Sequence, residues 1–143
     1  MCDNNYHILA ISDCISGHHN DSFEVVEKVN LMLATLKKIG INTDLSHLNA
    51  DAGFDVTAFI KELDERHTII ANIPKNKRKA KKIETAYRYF SEYIYSFRFK
   101  IELVFAWLDT YKRLLVRFEY RADCFKAWIH IAAALINLRN LFS

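Results

Sequence analysis

Glycine and proline are scarce in this chain: its 143 residues include three glycines and one proline. This scarcity excludes collagen-like and linker-rich chains, and a hydrophobic content of 51% excludes a disordered one. Long apolar runs are also missing. The longest, residues 127–138, contains His130 and Asn137 and is shorter than the roughly 20 residues that span a bilayer. We therefore expect one folded domain without a membrane partner.

Cysteine is sparse as well, and the three cysteines, Cys2, Cys14 and Cys124, are far apart in the sequence. An odd number without a C-x-x-C pair indicates neither a disulfide framework nor a cysteine zinc site. The polar residues 1–5 have no basic n-region and do not have the pattern of a signal peptide. We expect a reduced, cytoplasmic protein.

Positive charge is rare in the first half of the chain and abundant in the second. Residues 1–72 have 5 Lys and Arg against 11 Asp and Glu, a net charge of −6, whereas residues 73–143 have 15 against 6, a net charge of +9. A basic half indicates an anionic partner, most simply nucleic acid, although mutual neutralisation of the two halves is the alternative. The basic run at residues 75–82 favours salt-sensitive phosphate contacts over a solvated loop. Its candidate DNA-binding residues are Lys75, Lys77, Arg78 and Lys79.

Hydrophobic periodicity predicts an α/β chain. The expected elements are strands at residues 7–12, 45–50 and 68–73, and helices at 21–40, 55–66, 87–118 (in one piece or two) and 122–142. Asp21 with Glu24, and separately Asp55, have the pattern of helix N-caps, and Gly40 has that of a helix end. Because about three strands form a thin sheet for two long C-terminal helices, we expect the chain to begin partway into a larger fold.

Two carboxylates are candidates for chemistry. Asp51 follows the second expected strand, where ligand-binding groups gather in α/β sheets; a turn aspartate is the alternative. Glu102 is the one charged residue in the apolar octet at residues 101–108, and helical spacing puts it on one face with Tyr95 and Arg98. Glu102 then either forms an i, i+4 ion pair with Arg98 or, together with Asp51, holds divalent cations.

The order and spacing of several motifs resemble the transposases of bacterial insertion sequences, which are DDE enzymes with an RNase H-like catalytic core. The motifs are GHHND at residues 17–21, NADAGFD at 49–55, Y-x-x-R-x-x-x-E at 95–102, A-W-x-D at 106–109 and Asn-Leu at 137–138. The resemblance extends from about residue 7 to residue 142.

This resemblance implies Mg²⁺-dependent (or Mn²⁺-dependent) cleavage and strand transfer of DNA at a two-metal site. Asp51 and Glu102 would be the second and third acidic residues of the catalytic triad and its metal ligands. Tyr95 and Arg98 would contact DNA, and Arg98 would also orient the glutamate. A secondary loop near the active site would comprise His19, Asn20 and Asp21. DNA, as element ends and as target, would be the partner.

Two departures from the family pattern matter. The first catalytic Asp of the family lies upstream of the portion represented here, so residues 1–143 are expected to form one partial, N-terminally truncated catalytic domain. Leu103 takes the place of the basic residue that usually follows the Glu. The alternative hypothesis is therefore an inactive transposase remnant that only binds DNA or associates with full-length transposase. By analogy we also expect self-association, or association with an upstream-encoded part, in the nucleoid of a bacterial cytoplasm.

Overall fold

The computed structural model describes residues 1–14, 23–76, 88–116 and 118–142. It is a mixed α/β structure with one two-stranded parallel sheet among these residues. The strands are β1 (His47–Asn49) and β2 (Ile70–Asn72), and the helices are α1 (Val25–Lys38), α2 (Thr57–His67), α3 (Glu92–Ser96), α4 (Phe99–Asp109), α5 (Lys112–Leu115) and α6 (Ala122–Leu141). The chain divides into two compact units. We call Gly17–Arg98 the strand unit, and Met1–Ser16 with Phe99–Ser143 the helical unit.

The strand unit is built around a β1–α2–β2 crossover. Its two strands pair in parallel, with His47 opposite Ile70 and Asn49 opposite Asn72. α1 packs against α2, which packs against β2. Large apolar side chains from α1 and α2, and from the two residues that flank β2, are almost completely buried and form the core: Leu36, Phe59, Leu63, Ile69 and Ile73. The buried residues of α1 recur every three or four positions, as the helical period requires.

The end of α1 confirms the predicted helix stop at Gly40. Its φ is +81°, in the left-handed region that glycine adopts without steric cost. The Gly40 N–H donates to the Lys37 carbonyl at 3.2 Å, and the Ile41 N–H donates to the Leu36 carbonyl at 3.0 Å. This pair of hydrogen bonds is a Schellman motif, which satisfies two of the last carbonyls of the helix.

The helical unit contains α4, α5 and α6, which contact one another. α6 agrees closely with the helix predicted at residues 122–142. The helical region predicted at 87–118 is instead interrupted twice, so that α3, α4 and α5 are separate helices. Many apolar side chains of this unit remain exposed, including those of Phe105, Phe118, Ile131, Leu138 and Phe142. No helix among the described residues combines the length and apolarity needed to cross a membrane.

Residues 7–12 do not form the predicted strand. They contribute only an isolated antiparallel bridge between Cys2 and Ile8. The Ile8 N–H donates to Asn137 Oδ1 at 2.7 Å, and Asn137 Nδ2 donates to the Ile8 carbonyl at 2.9 Å. A side-chain carboxamide on α6 thus takes both backbone groups that a neighbouring strand would use. The prediction of a strand at residues 7–12 is therefore wrong.

Candidate functional site

The carboxyl ends of the two strands meet at a pair of asparagines. Asn49 and Asn72 are the last residues of β1 and β2 and lie opposite each other in the register. Asn72 is fully buried, and its Nδ2 donates to Asn49 Oδ1 at 2.8 Å. Burying a carboxamide costs free energy unless its donors and its acceptor form hydrogen bonds. The other hydrogen-bond partners of Asn72 therefore show which segment is attached to this edge of the sheet.

Those partners belong to the segment that begins α3. The Ser91 N–H donates to Asn72 Oδ1 at 2.8 Å, and Asn72 Nδ2 also donates to the Ser91 carbonyl at 3.1 Å. Asn49 Nδ2 donates to the Ile94 carbonyl at 2.8 Å. Ser91 is itself the N-cap of α3, since its Oγ accepts from the Ile94 N–H. The asparagine pair therefore fixes this short helix against the carboxyl end of β1.

The result is a three-residue cluster around Asp51. Asp51 lies two residues beyond β1, before a 3₁₀ turn at Ala52–Phe54. Arg98 Nη1 is 2.5 Å from Asp51 Oδ1, and the Tyr95 hydroxyl donates to the same oxygen at 3.3 Å. Arg98 Nη1 also donates to the Tyr95 hydroxyl at 2.7 Å. The cluster is open to solvent, because the side chains of Asp51 and Arg98 are 57% and 36% exposed.

A second ion pair supports the loop that carries Asp51. Arg88 Nη1 lies 2.5 Å from Asp55 Oδ1, and Arg88 Nη2 donates to the Ile73 carbonyl at 2.6 Å. Asp55 Oδ2 accepts from the Asn76 N–H at 2.7 Å. Both charged side chains are less than one-fifth exposed, so the pair is poorly screened. These contacts tie the turn after β1 to Ile73 and Asn76, which follow β2, and to Arg88.

The profile of the transposase DDE domain matches residues 17–138, which is most of the chain. The chain belongs to the DDE transposase family. Membership confirms the resemblance seen in the motifs and connects the chain to DNA transposition and, in general, to transposase-type nuclease activity. No curated protein and no solved structure matched the chain.

Within this DDE transposase chain, the structure brings together three of the residues singled out from the sequence: Asp51, Tyr95 and Arg98. Lys75 is exposed just after β2. Glu102 lies in the first turn of α4, in the helical unit, and its side chain is exposed. Six predicted residues lie outside the part of the chain that the structure describes: His19, Asn20, Asp21, Lys77, Arg78 and Lys79.

Two expectations about these residues need correction. Tyr95, Arg98 and Glu102 do not share one continuous helix, because α3 ends at Ser96 and α4 begins only at Phe99. Asp55 is not a helix cap: α2 begins at Thr57, its N-cap position is Val56, and the Asp55 carboxylate is engaged by Arg88 and Asn76 instead. Hydrogen bonds to charged groups are among the stronger ones, so the contact with Arg88 is a substantial partner for this carboxylate.

The contacts that support the cluster do not follow from the sequence. Asn49 and Asp55 belong to the motif at residues 49–55, but the sequence predicts neither their contacts nor those of Asn72 and Arg88. One signal was available. Each of the two paired strands ends in asparagine, and a carboxamide that becomes buried there needs hydrogen-bond partners.

The DDE transposase family generally uses divalent metal ions. Among the described residues, no group of three or more His, Cys, Asp or Glu side chains is arranged to hold a metal ion. Mg²⁺ needs only one or two protein carboxylates when waters and phosphate oxygens complete its shell. Asp51 has the right donor chemistry, a hard and solvent-accessible carboxylate oxygen, and fits as one such ligand.

Proposed function

We propose that this chain takes part in Mg²⁺-dependent cleavage and strand transfer of an insertion sequence, with Asp51 and Glu102 as the second and third acidic residues of the triad. The observation that carries the proposal is the exposed Asp51 carboxylate at the carboxyl end of β1, contacted by Tyr95 and Arg98 in a DDE transposase chain. We further propose that residues 1–143 belong to a catalytic domain of RNase H-like type.

The proposed reaction has two phosphoryl-transfer steps. Water attacks a phosphodiester at the element end and the P–O3′ bond breaks, which leaves a 3′-hydroxyl and a 5′-phosphate. The freed 3′-hydroxyl then attacks a phosphodiester of the target DNA and displaces its 3′-oxygen. Divalent cations, when bound, would polarise the phosphate and activate the attacking oxygen. Asp51 would bind a cation through its carboxylate, while Tyr95 and Arg98 contact DNA beside it.

Nonspecific DNA affinity is assigned to the basic second half of the chain. Lys75 is exposed and follows the strand whose end supports the cluster. We propose that Lys75, Lys77, Arg78 and Lys79 neutralise DNA phosphates. Such contacts release counterions, so replacing all four by alanine is expected to weaken DNA binding. The slope of the logarithm of the binding constant against the logarithm of the salt concentration should become shallower by about 0.9 for each lost phosphate contact. We propose that the protein acts in the bacterial cytoplasm with the nucleoid and associates with itself or with a separately encoded transposase part.

The deciding experiment compares Asp51→Asn and Glu102→Gln with the unaltered chain in Mg²⁺-dependent cleavage of element-end DNA, with no other transposase present. Each substitution removes a charge and keeps the side-chain shape. We expect each to reduce cleavage by a factor of at least 100 while leaving DNA binding in place. Asp44→Asn is the matched control, because Asp44 is an exposed aspartate before β1. Undiminished cleavage by Asp51→Asn would contradict the assignment.

A second candidate function is an inactive DNA-binding remnant. The observation that favours it is Leu103, which follows Glu102 where the family pattern has a basic residue. This function predicts salt-dependent DNA binding by the purified chain, together with no Mg²⁺-dependent cleavage at any protein concentration. Cleavage by the chain alone that disappears in Asp51→Asn would rule it out.

A further inference from the structure

Two donors converge on one carboxylate oxygen in the Asp51 cluster. Arg98 Nη1 at 2.5 Å and the Tyr95 hydroxyl at 3.3 Å both approach Asp51 Oδ1. The guanidinium is therefore in the position where a cation would bind the same oxygen. A divalent cation on Oδ1 would face the Arg98 charge at only a few ångströms, and like charges at that separation repel strongly. Arg98 and the cation therefore compete for Asp51.

The position of Arg98 allows its side chain to move away from Asp51. It follows the end of α3, lies in a turn rather than inside a helix, and is 36% exposed. Its guanidinium carbon lies 5.4 Å from the centre of the Tyr95 ring, a contact that keeps it near the cluster whichever anion it pairs with. The planar donor fork of an arginine fits a phosphate as well as a carboxylate.

We propose that Arg98 is an exchangeable counter-ion: it neutralises Asp51 until a phosphate group takes its guanidinium, and this exchange opens Asp51 to a divalent cation. The proposal rests on the proposed function, which supplies the phosphate as DNA backbone and the cation as the metal at Asp51. Each ligand removes the competitor of the other, so phosphate and cation bind with positive coupling. By linkage, the cation increases DNA affinity by the same factor by which DNA increases cation affinity.

The first test measures cation affinity without DNA. Calorimetric titration of the full chain with Ca²⁺, used in place of Mg²⁺, compares the unaltered protein with Arg98→Ala, Arg98→Lys and Asp51→Asn. We expect Arg98→Ala to bind Ca²⁺ about threefold more tightly, because exposed ion pairs hold their partners weakly. Arg98→Lys keeps the competing charge and should change the affinity little. Asp51→Asn should weaken binding at least tenfold.

Arg66→Ala is the matched control. Arg66 is another exposed arginine of the strand unit, and its Nη1 pairs with Glu62 Oε1 at 2.8 Å. It has no contact with Asp51 in the described structure, so its removal should leave Ca²⁺ affinity unchanged. An equal gain in Arg66→Ala and Arg98→Ala would mean that the effect is a general loss of positive charge, and would overturn the exchange.

The second test measures the coupling itself. Fluorescence anisotropy gives the affinity for a labelled DNA duplex with Ca²⁺ and with EDTA at constant ionic strength. We expect Ca²⁺ to increase the DNA affinity of both proteins, because phosphate oxygens complete the shell of a cation at Asp51, but to increase that of the unaltered chain about threefold more than that of Arg98→Ala. A Ca²⁺ response in Arg98→Ala equal to that of the unaltered chain would overturn the proposal.

The two variants separate the exchange at Arg98 from cation binding at Asp51. If Asp51→Asn weakens Ca²⁺ binding while Arg98→Ala does not strengthen it, the exchange is wrong and the cation role of Asp51 stands. If Asp51→Asn binds Ca²⁺ as the unaltered chain does, the cation does not bind at Asp51, and that part of the proposed function falls together with the exchange.

Discussion

Among the residues that the structure describes, both units contain an asparagine side chain that pairs with the backbone N–H and carbonyl of one distant residue. In the strand unit, the Asn72 carboxamide pairs with both the N–H and the carbonyl of Ser91; in the helical unit, Asn137 does the same with Ile8. Asn72 is fully buried, whereas Asn137 is only half-buried. Because an unsatisfied polar group costs more as burial increases, the two asparagines differ in how firmly they hold their partners.

The surroundings of the two asparagines explain this difference. In the strand unit, Leu36, Phe59, Leu63 and Ile73 are almost completely excluded from solvent. In the helical unit, Val104 is the one large side chain that is buried to the same degree among the described residues. A carboxamide in a closed core is a precise anchor, and this anchor holds the helix that carries Tyr95. The comparison thus indicates that the cluster around Asp51 depends on interior packing rather than on its own exposed contacts.

The largest effect is expected for Asn72→Leu. Leucine has a similar volume but leaves the Ser91 N–H, the Ser91 carbonyl and Asn49 Oδ1 without their partner. Loss of several buried hydrogen bonds is expected to lower the free energy of unfolding by about 3 kcal/mol. Urea denaturation followed by circular dichroism measures it. A loss below about 1 kcal/mol would mean that water replaces the carboxamide, and would remove the distinction between the two units.

Local sequence signals predicted the elements that local interactions form. Gly40 ends α1 because its backbone adopts a positive φ, and α6 follows from its length and apolar content. The two paired strands were also expected, although each has only three residues. The motifs identified the family from Asp51, Tyr95 and Arg98, and the structure does bring these three side chains together.

Contacts between distant residues were not predictable in the same way. Asn72 and Ser91 are 19 residues apart, and Asn137 and Ile8 are 129 residues apart, and no periodicity indicates such pairs. The strand expected at residues 7–12 failed for this reason: its composition was suitable, but Asn137 took the backbone groups. Asp55 resembled a helix cap because Arg88, its partner, is 33 residues away. The catalytic and DNA-binding roles of Asp51, Tyr95, Arg98 and Glu102, and those of the basic residues at 75–79, stay predictions.

Asn137→Leu gives the matching measurement in the helical unit, with a smaller expected effect. The substitution removes the two hydrogen bonds to Ile8, but water reaches this half-buried site and satisfies part of what is lost. We expect the free energy of unfolding to fall by about 1 kcal/mol. The measurement is the same urea denaturation. If Asn137→Leu lowers the free energy of unfolding as much as Asn72→Leu does, burial does not determine how strongly such an asparagine stabilises the fold.

Gly40→Ala tests a feature of the strand unit that involves no core contact. A Cβ at this position meets no atom within 4 Å, so the cost comes only from the φ of +81°. A non-glycine residue in this region costs about 1 kcal/mol, and thermal denaturation should show a corresponding decrease in Tm. Gly40→Asn is the control, because asparagine tolerates the left-handed region and should lose less. An unchanged Tm for Gly40→Ala would mean that the end of α1 adjusts without strain.

The smallest expected effect is at Glu62, in a polar network that lies at the surface of the strand unit. Hydrogen bonds from Asn30 Nδ2 and from Arg66 Nη1, both at 2.8 Å, hold the pKa of Glu62 below its ordinary value of 4.5. A carboxylate with a lowered folded-state pKa stabilises the fold above its unfolded pKa, and this contribution disappears as pH falls through the folded pKa. Glu62→Gln should therefore have a slightly lower Tm than the unaltered chain at pH 7.

The difference in Tm should shrink towards zero as the pH is lowered below 4.5, since the unaltered chain then loses the same charge. Glu65→Gln is the matched control, because Glu65 is an exposed glutamate on the same helix. It should show a smaller change with pH than Glu62→Gln. A Tm difference at Glu62 that stays constant between pH 7 and pH 3 would mean that its hydrogen bonds do not depend on ionisation. The surface network would then resemble the carboxamide of Asn72, where geometry rather than charge holds the partners.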